Sequence, residues 1–374
     1  MKERDGIKSG PPDTGLQVRI ADFSRVSFFS AGIILIPVIA MLVIVLMVFI
    51  LSGTPAETLY FFFIGPFRNL FSFGNMLNAC VPFIFGALGI TVAMKAGSLN
   101  LGGEGQIYLG AFITTVTVTA LSGLSGLPLP GVLLSVIGAS AGIFSAGALA
   151  AFCGFCKAKW DTSEMITTFL ISCAVIPVVN YLVTGPFMDP HSSLQSTEKI
   201  PQAVRLAPVL KPSNLNTGVF LAIAAVIIVQ FFLYRTKTGY EIRMAGSNEI
   251  FARYGGINTK RNTVLAMFIS GGFYGLAGSA AVLGTYHATV KEFSAGMGWN
   301  GLAVALIACF YPPAIIPASV FFAWISAGAR IAMQNTGLNF ETASIVQAVI
   351  FFLATSLVIR NIFSGKGKGR LWKS

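Results

Sequence analysis

The sequence predicts an all-α polytopic membrane protein of about ten transmembrane helices, and three observations carry that prediction. Hydrophobic residues fill 55% of the 374 positions and charged residues only 10%, whereas soluble domains carry about 25% charged residues. The apolar residues gather in long unbroken runs and do not alternate with polar ones. Lysines and arginines, 25 against 14 acidic residues, are confined to the two ends and a few connecting loops. Crossing a hydrocarbon layer of roughly 30 Å takes about 20 apolar residues as helix. Lipid cannot hydrogen-bond an open backbone, so only helices or closed barrels cross it, and unbroken runs select helices.

The first run, residues 28–51, follows a tail of mixed charge at 1–27. It is too long for a signal-peptide core and lacks a small-residue cleavage site, so it reads as an anchor. Further runs stand at 76–94, 106–122, 131–156, 164–184, 216–234, 263–284, 298–311, 313–330 and 343–363. The eighth and ninth are parted only by Tyr311-Pro312-Pro313, where proline forces a turn or kink. With ten spans, the N-terminal tail, Lys157 and Lys159, the loop at 235–262 and the basic tail at 364–374 share one side. The positive-inside rule makes that side cytoplasmic and puts both termini there. The longest loop on the other side, 185–215, is proline-rich and contains His191. The net charge of +11 thus follows from topology, and nucleic acid is not an expected partner.

Divided into halves of five spans, the chain shows a candidate inverted repeat. Span three is entered through glycine-rich 97–105 and span eight through "FSAGMGWNG", 293–301. Five is odd, so corresponding spans run in opposite directions, the layout in which substrate paths lie between halves near unwound helices. The alternative is glycine clustering where helices pack closely.

Two polar stretches stand out. In "KAGSLNLGGEGQIYLGAF", 95–112, a charge at mid-membrane would cost about 2.5–3.5 kcal/mol on insertion scales. Glu104 therefore sits at the cytoplasmic edge or faces a cavity or partner. Asn100 and Gln106 offer donors and acceptors suited to a neutral polyhydroxyl or nucleobase. Weighing equally is a tight turn with Glu104 capping span three. In "YRTKTGYEIRMAGSNEIFARYGGINTKRN", 234–262, the centre reads as a short helix. Ser247 or Asn248 caps it, Glu249 stands in its first turn, and Gly255-Gly256 ends it. Bearing Ile250, Phe251 and Tyr254, it is too apolar for a solvated linker and suits docking to a cytoplasmic partner.

Other chemistry is sparse. His191 and His287 are the two histidines, both in outer loops, and no metal or nucleophile constellation accompanies them, so a membrane enzyme is not expected. The ionisable groups available to a self-sufficient carrier or channel, the rival class, are Glu104, Arg330 and Glu341. All lie near predicted span ends, and Arg330 is expected to snorkel to the outer interface. Cys153 and Cys156 have a redox-like spacing but end a membrane helix, and read as small apolar residues.

These stretches carry a resemblance. "CVPFIFGALGITVAMKAGSLNLGGEGQIYLGAF", 80–112, resembles the second-span signature of permeases in the sugar, nucleoside and branched-chain amino-acid group of bacterial ABC importers. Its glycine-asparagine-glutamate-glycine-glutamine order is most like the nucleoside and simple-sugar branch. "GYEIRMAGSNEIFARYGGINTKRNTVLAMFISGGFYGLAGSAAVLGT", 239–285, resembles that family's cytoplasmic coupling segment and next span, and "FSAGMGWNGLAVALIACFYPP", 293–313, the segment that follows. The chain departs from the pattern at Asn248-Glu249-Ile250-Phe251-Ala252, where relatives usually have asparagine-proline and two alanines. It departs again after Gly97, with leucine and glycine where an aromatic and a β-branched residue are common.

The resemblance implies a permease subunit of the bacterial inner membrane. It would pair with a second homologous permease chain, as heterodimer or homodimer, be driven by an ABC ATPase subunit, and be fed by an extracytoplasmic substrate-binding lipoprotein. ATP and Mg would bind the partner ATPase, since this chain has no G-x-x-x-x-G-K-[ST], and no cofactor or metal is expected here. Asn100, Glu104, Gln106, Trp299 and Asn300 are the implied substrate path. Arg243, Gly246, Asn248, Glu249, Phe251, Tyr254 and Gly255 are the implied ATPase coupling residues. The implied cargo is a purine nucleoside, with a pentose or hexose as alternative.

Overall fold

Helix α2, Leu70–Lys95, runs through the centre of the molecule, a place that packing and not hydropathy assigns it. In its most apolar stretch 83% of residues are buried, against 22% for the equally apolar α5, Glu164–Thr184, so α2 is enclosed by neighbours while α5 shows a wide apolar face outward. Asn69 starts α2, its side chain accepting from the Ser72 backbone N–H at 2.7 Å. The computed structural model describes residues 41–336 except 44, 51 and 124–129, together with Ile345 and Ala348. The tails, the start of the first predicted span and nearly all of the last lie outside the described residues.

Among the described residues seven helices are long and apolar enough to cross a membrane. They are α2, α3 (Gly103–Ser122), α4 (Gly131–Trp160), α5, α6 (Gly218–Arg235), α9 (Thr259–Ala281, continued by a π-turn at Val282–Tyr286) and α11 (Pro312–Thr336). Part of the predicted first span, Met41–Ile50, is also helical. The short helices are α1 (Pro55–Phe63), α7 (Lys237–Ser247), α8 (Glu249–Tyr254) and α10 (Met297–Ile307). The predicted outer loop carries a two-stranded hairpin, β1 (Pro208–Leu210) against β2 (Leu215–Asn216).

The eighth predicted span differs from expectation. Its helix, α10, has 11 residues, roughly 16 Å at 1.5 Å per residue, about half the hydrocarbon thickness. The apolar run continues to residue 311, but the backbone leaves the helix at Cys309 and Phe310, both at positive φ. Pro312 then opens α11, at a position where its missing N–H costs nothing.

Small residues hold the helices at close range. The Cα of Gly275 on α9 lies only 2.6 Å from where a methyl on Gly110 of α3 would stand. Such contacts draw membrane helices together by packing where lipid supplies no hydrophobic drive. Phe144, Phe152, Ile166, Ile227 and Phe231 point outward from α4, α5 and α6, the surface a lipid-facing ring presents.

Candidate functional site

After Lys95 the chain turns at Gly97, where φ is +72°, and runs as irregular backbone to Gly102 before α3 begins. Ser98 and Asn100 on this stretch are buried. Buried backbone without helical partners must find others, and α5 supplies them. The Leu99 N–H donates to Glu164 Oε1 at 3.3 Å, the Leu101 N–H to Thr168 Oγ1 at 3.1 Å, and the Gly105 N–H to Ser172 Oγ at 2.8 Å. Residues 164, 168 and 172 recur every four positions, one polar stripe on one helix face. Lys157 Nζ completes the tie, donating to the Gly97 carbonyl at 3.2 Å, Ser98 Oγ at 3.0 Å and Glu164 Oε1 at 2.8 Å.

Asn100 and Gln106, 0% and 1% exposed, bond to each other. Asn100 Nδ2 donates to Gln106 Oε1 at 2.8 Å and Gln106 Nε2 returns a bond to Asn100 Oδ1 at 3.1 Å. Asn100 also donates to Ser270 Oγ of α9 at 3.1 Å and accepts from the Gly102 N–H at 3.0 Å. The two amides fasten the unwound segment to α3 and α9.

Glu104 reaches across to the other predicted half. Its Oε1 accepts from the Gly298 N–H at 2.8 Å, so it caps the first turn of α10, where a carboxylate is favoured. A methyl on Gly298 would stand 2.6 Å from the Glu104 nitrogen. The starts of α3 and α10 therefore abut, and the helices leave in opposite directions. Thr115 of α3 shares a 2.7 Å hydrogen bond with Thr289, beyond the end of α9, while Tyr311 after α10 meets the Tyr234 ring at 6.5 Å, at the end where α6 passes to α7. Trp299 is 39% exposed, its ring edge-on to Phe169 of α5 at 6.3 Å. The space among Asn100, Glu104, Tyr274, Gly298 and Trp299 is only about 10 Å³, a closed junction.

Asn300 lies away from that junction and lines a cavity of about 390 Å³. Asn75 and Asn78 of α2 form one wall, Asn214 and Asn216 of the hairpin another, and Arg330 of α11 closes it. Part of this lining is fully paired. Asn78 Nδ2 donates to Thr285 Oγ1 at 2.9 Å, and Asn216 Nδ2 donates to Asn78 Oδ1 at 3.0 Å and the Gly284 carbonyl at 3.0 Å. Asn75 Oδ1 accepts from the Asn214 N–H at 2.9 Å. Sequence reading missed these asparagines because they sit in separate segments; the one local signal was the Asn75/Asn78 spacing, which puts both on one face of α2. Arg330, expected to snorkel, lines this cavity. His287, at the same end, has its imidazole held below the usual pKa by burial and by the Arg205 guanidinium.

At the opposite end stand α7 and α8, two helices where one was predicted. Asn248 caps α8, its Oδ1 accepting from the Phe251 N–H at 3.0 Å. Glu249 pairs with Arg253 at 2.6 Å. Gly255 follows α8 with ordinary backbone, and the left-handed turn falls on Gly256, φ +77°. Ile250, Phe251 and Tyr254 are exposed, Tyr254 to 89%. Arg243 lays its guanidinium 4.8 Å from the Tyr234 ring centroid and donates to the Leu233 carbonyl at 2.8 Å, fixing α7 against α6. Gly246 sits against the α2–α3 turn: a methyl there would stand 2.6 Å from the Gly97 nitrogen and 2.8 Å from the Ala96 carbonyl carbon. Among the described residues no group of three His, Cys, Asp or Glu could hold a metal, and Cys153 and Cys156 are buried free thiols.

Residues 72–355 match the family described as branched-chain amino acid transport system / permease component. The chain belongs to this family. The permease is 31% identical over 310 residues to the probable riboflavin import permease protein RfuC of Treponema pallidum, covering 82% of this chain and 80% of that one. It is 31% identical over 304 residues to the guanosine ABC transporter permease protein NupP of Bacillus subtilis, covering 79% and 84%. NupQ of the same bacterium, also described as a guanosine ABC transporter permease protein, is 28% identical over 248 residues, covering 64% and 76%. No solved structure matches the permease significantly. The matched range contains the stretches at 80–112, 239–285 and 293–313, so the resemblance they carry is borne out at family level.

Proposed function

We propose that this permease is the membrane subunit of an ATP-driven importer in a bacterial cytoplasmic membrane, carrying a purine nucleoside inward. The observation that carries the reading is the contact of Gly246 with the Ala96–Gly97 turn. It joins exposed α8 at one end to the segment that positions the closed α3–α10 junction. In this reading the chain crosses ten times, counting α10 with its connections, and both tails are cytoplasmic. The basic end, with Lys157, Lys159 and Lys260, faces the cytoplasm, as the positive-inside rule requires, and the asparagine-lined cavity faces outward. The meeting of the α3 and α10 starts supports an inverted repeat, in which paths run between halves at broken helices.

The roles divide accordingly. Asn300 lines the outer cavity, Glu104 and Trp299 stand at the closed junction, and Asn100 and Gln106 hold the unwound segment in shape. Phe251 and Tyr254, with Ile250, dock into a groove of a separate ATPase, while Asn248, Glu249 and Gly255 shape α8 and Arg243 and Gly246 seat α7. Nucleotide binding by the ATPase and release by a binding lipoprotein act as differential ligands on two packings of the halves. A second permease chain completes the path; NupP and NupQ, two chains of one guanosine description in one bacterium, support a heterodimer. The nucleoside assignment rests on the guanosine relatives and on a cavity rich in amides.

The test is uptake of labelled guanosine by cells expressing the importer. Phe251→Asp and Tyr254→Asp are expected to abolish ATP-dependent uptake while leaving the permease in the membrane at wild-type abundance. Undiminished uptake would overturn the coupling role.

A further inference from the structure

We propose that the cavity bounded by α2, the hairpin and α11 is a solute site within this single chain, built for a flat oxo-heterocycle that carries hydroxyl groups. Its role in transport rests on the importer reading above; its binding chemistry does not.

The lining separates into used and unused groups. Asn78 and Asn216 spend their amides on Thr285, Gly284, Gly218 and each other. In contrast, the side chains of Asn214, Asn300 and Arg330, and the amide nitrogen of Asn75, bond to no other described residue. Asn75 and Asn300 are half-buried and Asn214 and Arg330 exposed, so their donors and acceptors stand open to a solute entering the cavity.

Charge and shape narrow the ligand. Arg330 is the one charged residue of the lining, so a cationic solute meets repulsion with nothing to offset it. A guanidinium presents parallel N–H donors in a fixed plane, which matches two adjacent acceptors on a ring edge, as it matches the carbonyl oxygen and neighbouring nitrogen of guanine. A simple sugar has no such edge. Tyr286 lines the same cavity and is partly exposed, with its ring steadied edge-on by Phe293 at 5.1 Å, itself steadied by Tyr108 at 5.8 Å. A fixed aromatic ring with free surface is a stacking platform for a flat base. The free amides of Asn214 and Asn300 donate and accept, and Asn75 Nδ2 donates, as hydroxyl groups require. At about 390 Å³ the cavity falls in the range, roughly 300–1,000 Å³, of small-molecule sites.

The experiment is equilibrium dialysis of the full-length permease in detergent against labelled guanosine, with adenosine and D-ribose as comparison probes. Guanosine is expected to be retained with a Kd below about 1 mM, and adenosine and ribose more weakly. Arg330→Gln and Arg330→Lys, the latter keeping charge but losing the fork, should each weaken guanosine roughly tenfold or more, with little effect on ribose. Asn214→Ala, on the exposed hairpin, weakens guanosine as well and serves where an Arg330 variant fails to fold. Absence of guanosine binding by the wild type, or wild-type affinity in the folded variants, overturns the site. Arg330-dependent binding without ATP-dependent uptake in cells sinks the importer reading and leaves the site standing; uptake without binding does the reverse.

Discussion

The polar stretch at 96–106, unwound as far as Gly102, and the asparagine-lined cavity both gather amides on an apolar bundle, and they use them in opposite ways. At 96–106 the polar side chains turn on one another: Asn100 on Gln106, Ser270 and Gly102, Lys157 on Glu164 and Ser98. In the cavity Asn78 and Asn216 are spent on the walls, while Asn214, Asn300 and Arg330 face open space. A polar residue at membrane depth thus says little by type alone. What separates a structural clasp from a binding surface is whether its donors and acceptors are already used.

Five substitutions, one of them paired with another, would break or sharpen this contrast, in falling order of effect. Gly298→Val drives a branched side chain into the Glu104 and Gly103 backbone, within 3 Å of where even a methyl would stand. Overpacking of this kind typically costs about 1–3 kcal/mol and more where backbone must move, so the folded yield in detergent size-exclusion should collapse. Asn100→Leu leaves the buried Gln106 amide and the Gly102 N–H without their partner, about 1–3 kcal/mol; the thermal midpoint of the solubilised permease should fall. Pairing it with Gln106→Leu should cost less than the sum of the two singles, a coupling of about 1 kcal/mol in a double-mutant cycle.

Lys157→Met removes the tie on Gly97, Ser98 and Glu164, whose side chain is 12% exposed. Bonds to charged groups contribute about 1.5–3 kcal/mol, and partial exposure of Lys157 places the loss at the low end, again read as thermal midpoint. At the bottom of the scale, Asn300→Ala should change stability by less than about 0.5 kcal/mol, as for groups with no partner to lose, while guanosine uptake falls. A large stability loss at Asn300 would erase the distinction between clasp and cavity.

The sequence carried much of the local structure and little of the long-range pairing. Asn248 could be read as a cap because a cap needs only its own next three residues. Both glycine-rich helix entrances were visible in composition, yet their contact was not, since Glu104 and Gly298 stand 194 positions apart. The half-length of α10 was hidden because apolar residues continue past its end, and only the backbone at Cys309 and Phe310 shows the break. Asn100 and Gln106 read equally well as solute contacts, because residue type cannot report that each already has the other. The cavity was illegible for the same reason in reverse: its asparagines come from α2, the hairpin and α10, and become neighbours only on folding. Part of the first predicted span and most of the last lie outside the described residues.

The abutting starts of α3 and α10 have an electrical consequence. Each helix N-terminus carries a partial charge of about +0.5, and one acidic side chain, Glu104, stands between them, bonded to Gly298. One carboxylate set against two half-positive poles leaves the junction of α3 and α10 close to balanced in charge. The two helix starts are thereby held together by electrostatics as well as by the close packing of Gly298 on the Gly103–Glu104 backbone. Glu104→Gln would keep a hydrogen-bond acceptor for Gly298 but leave both positive helix ends without their counter-charge.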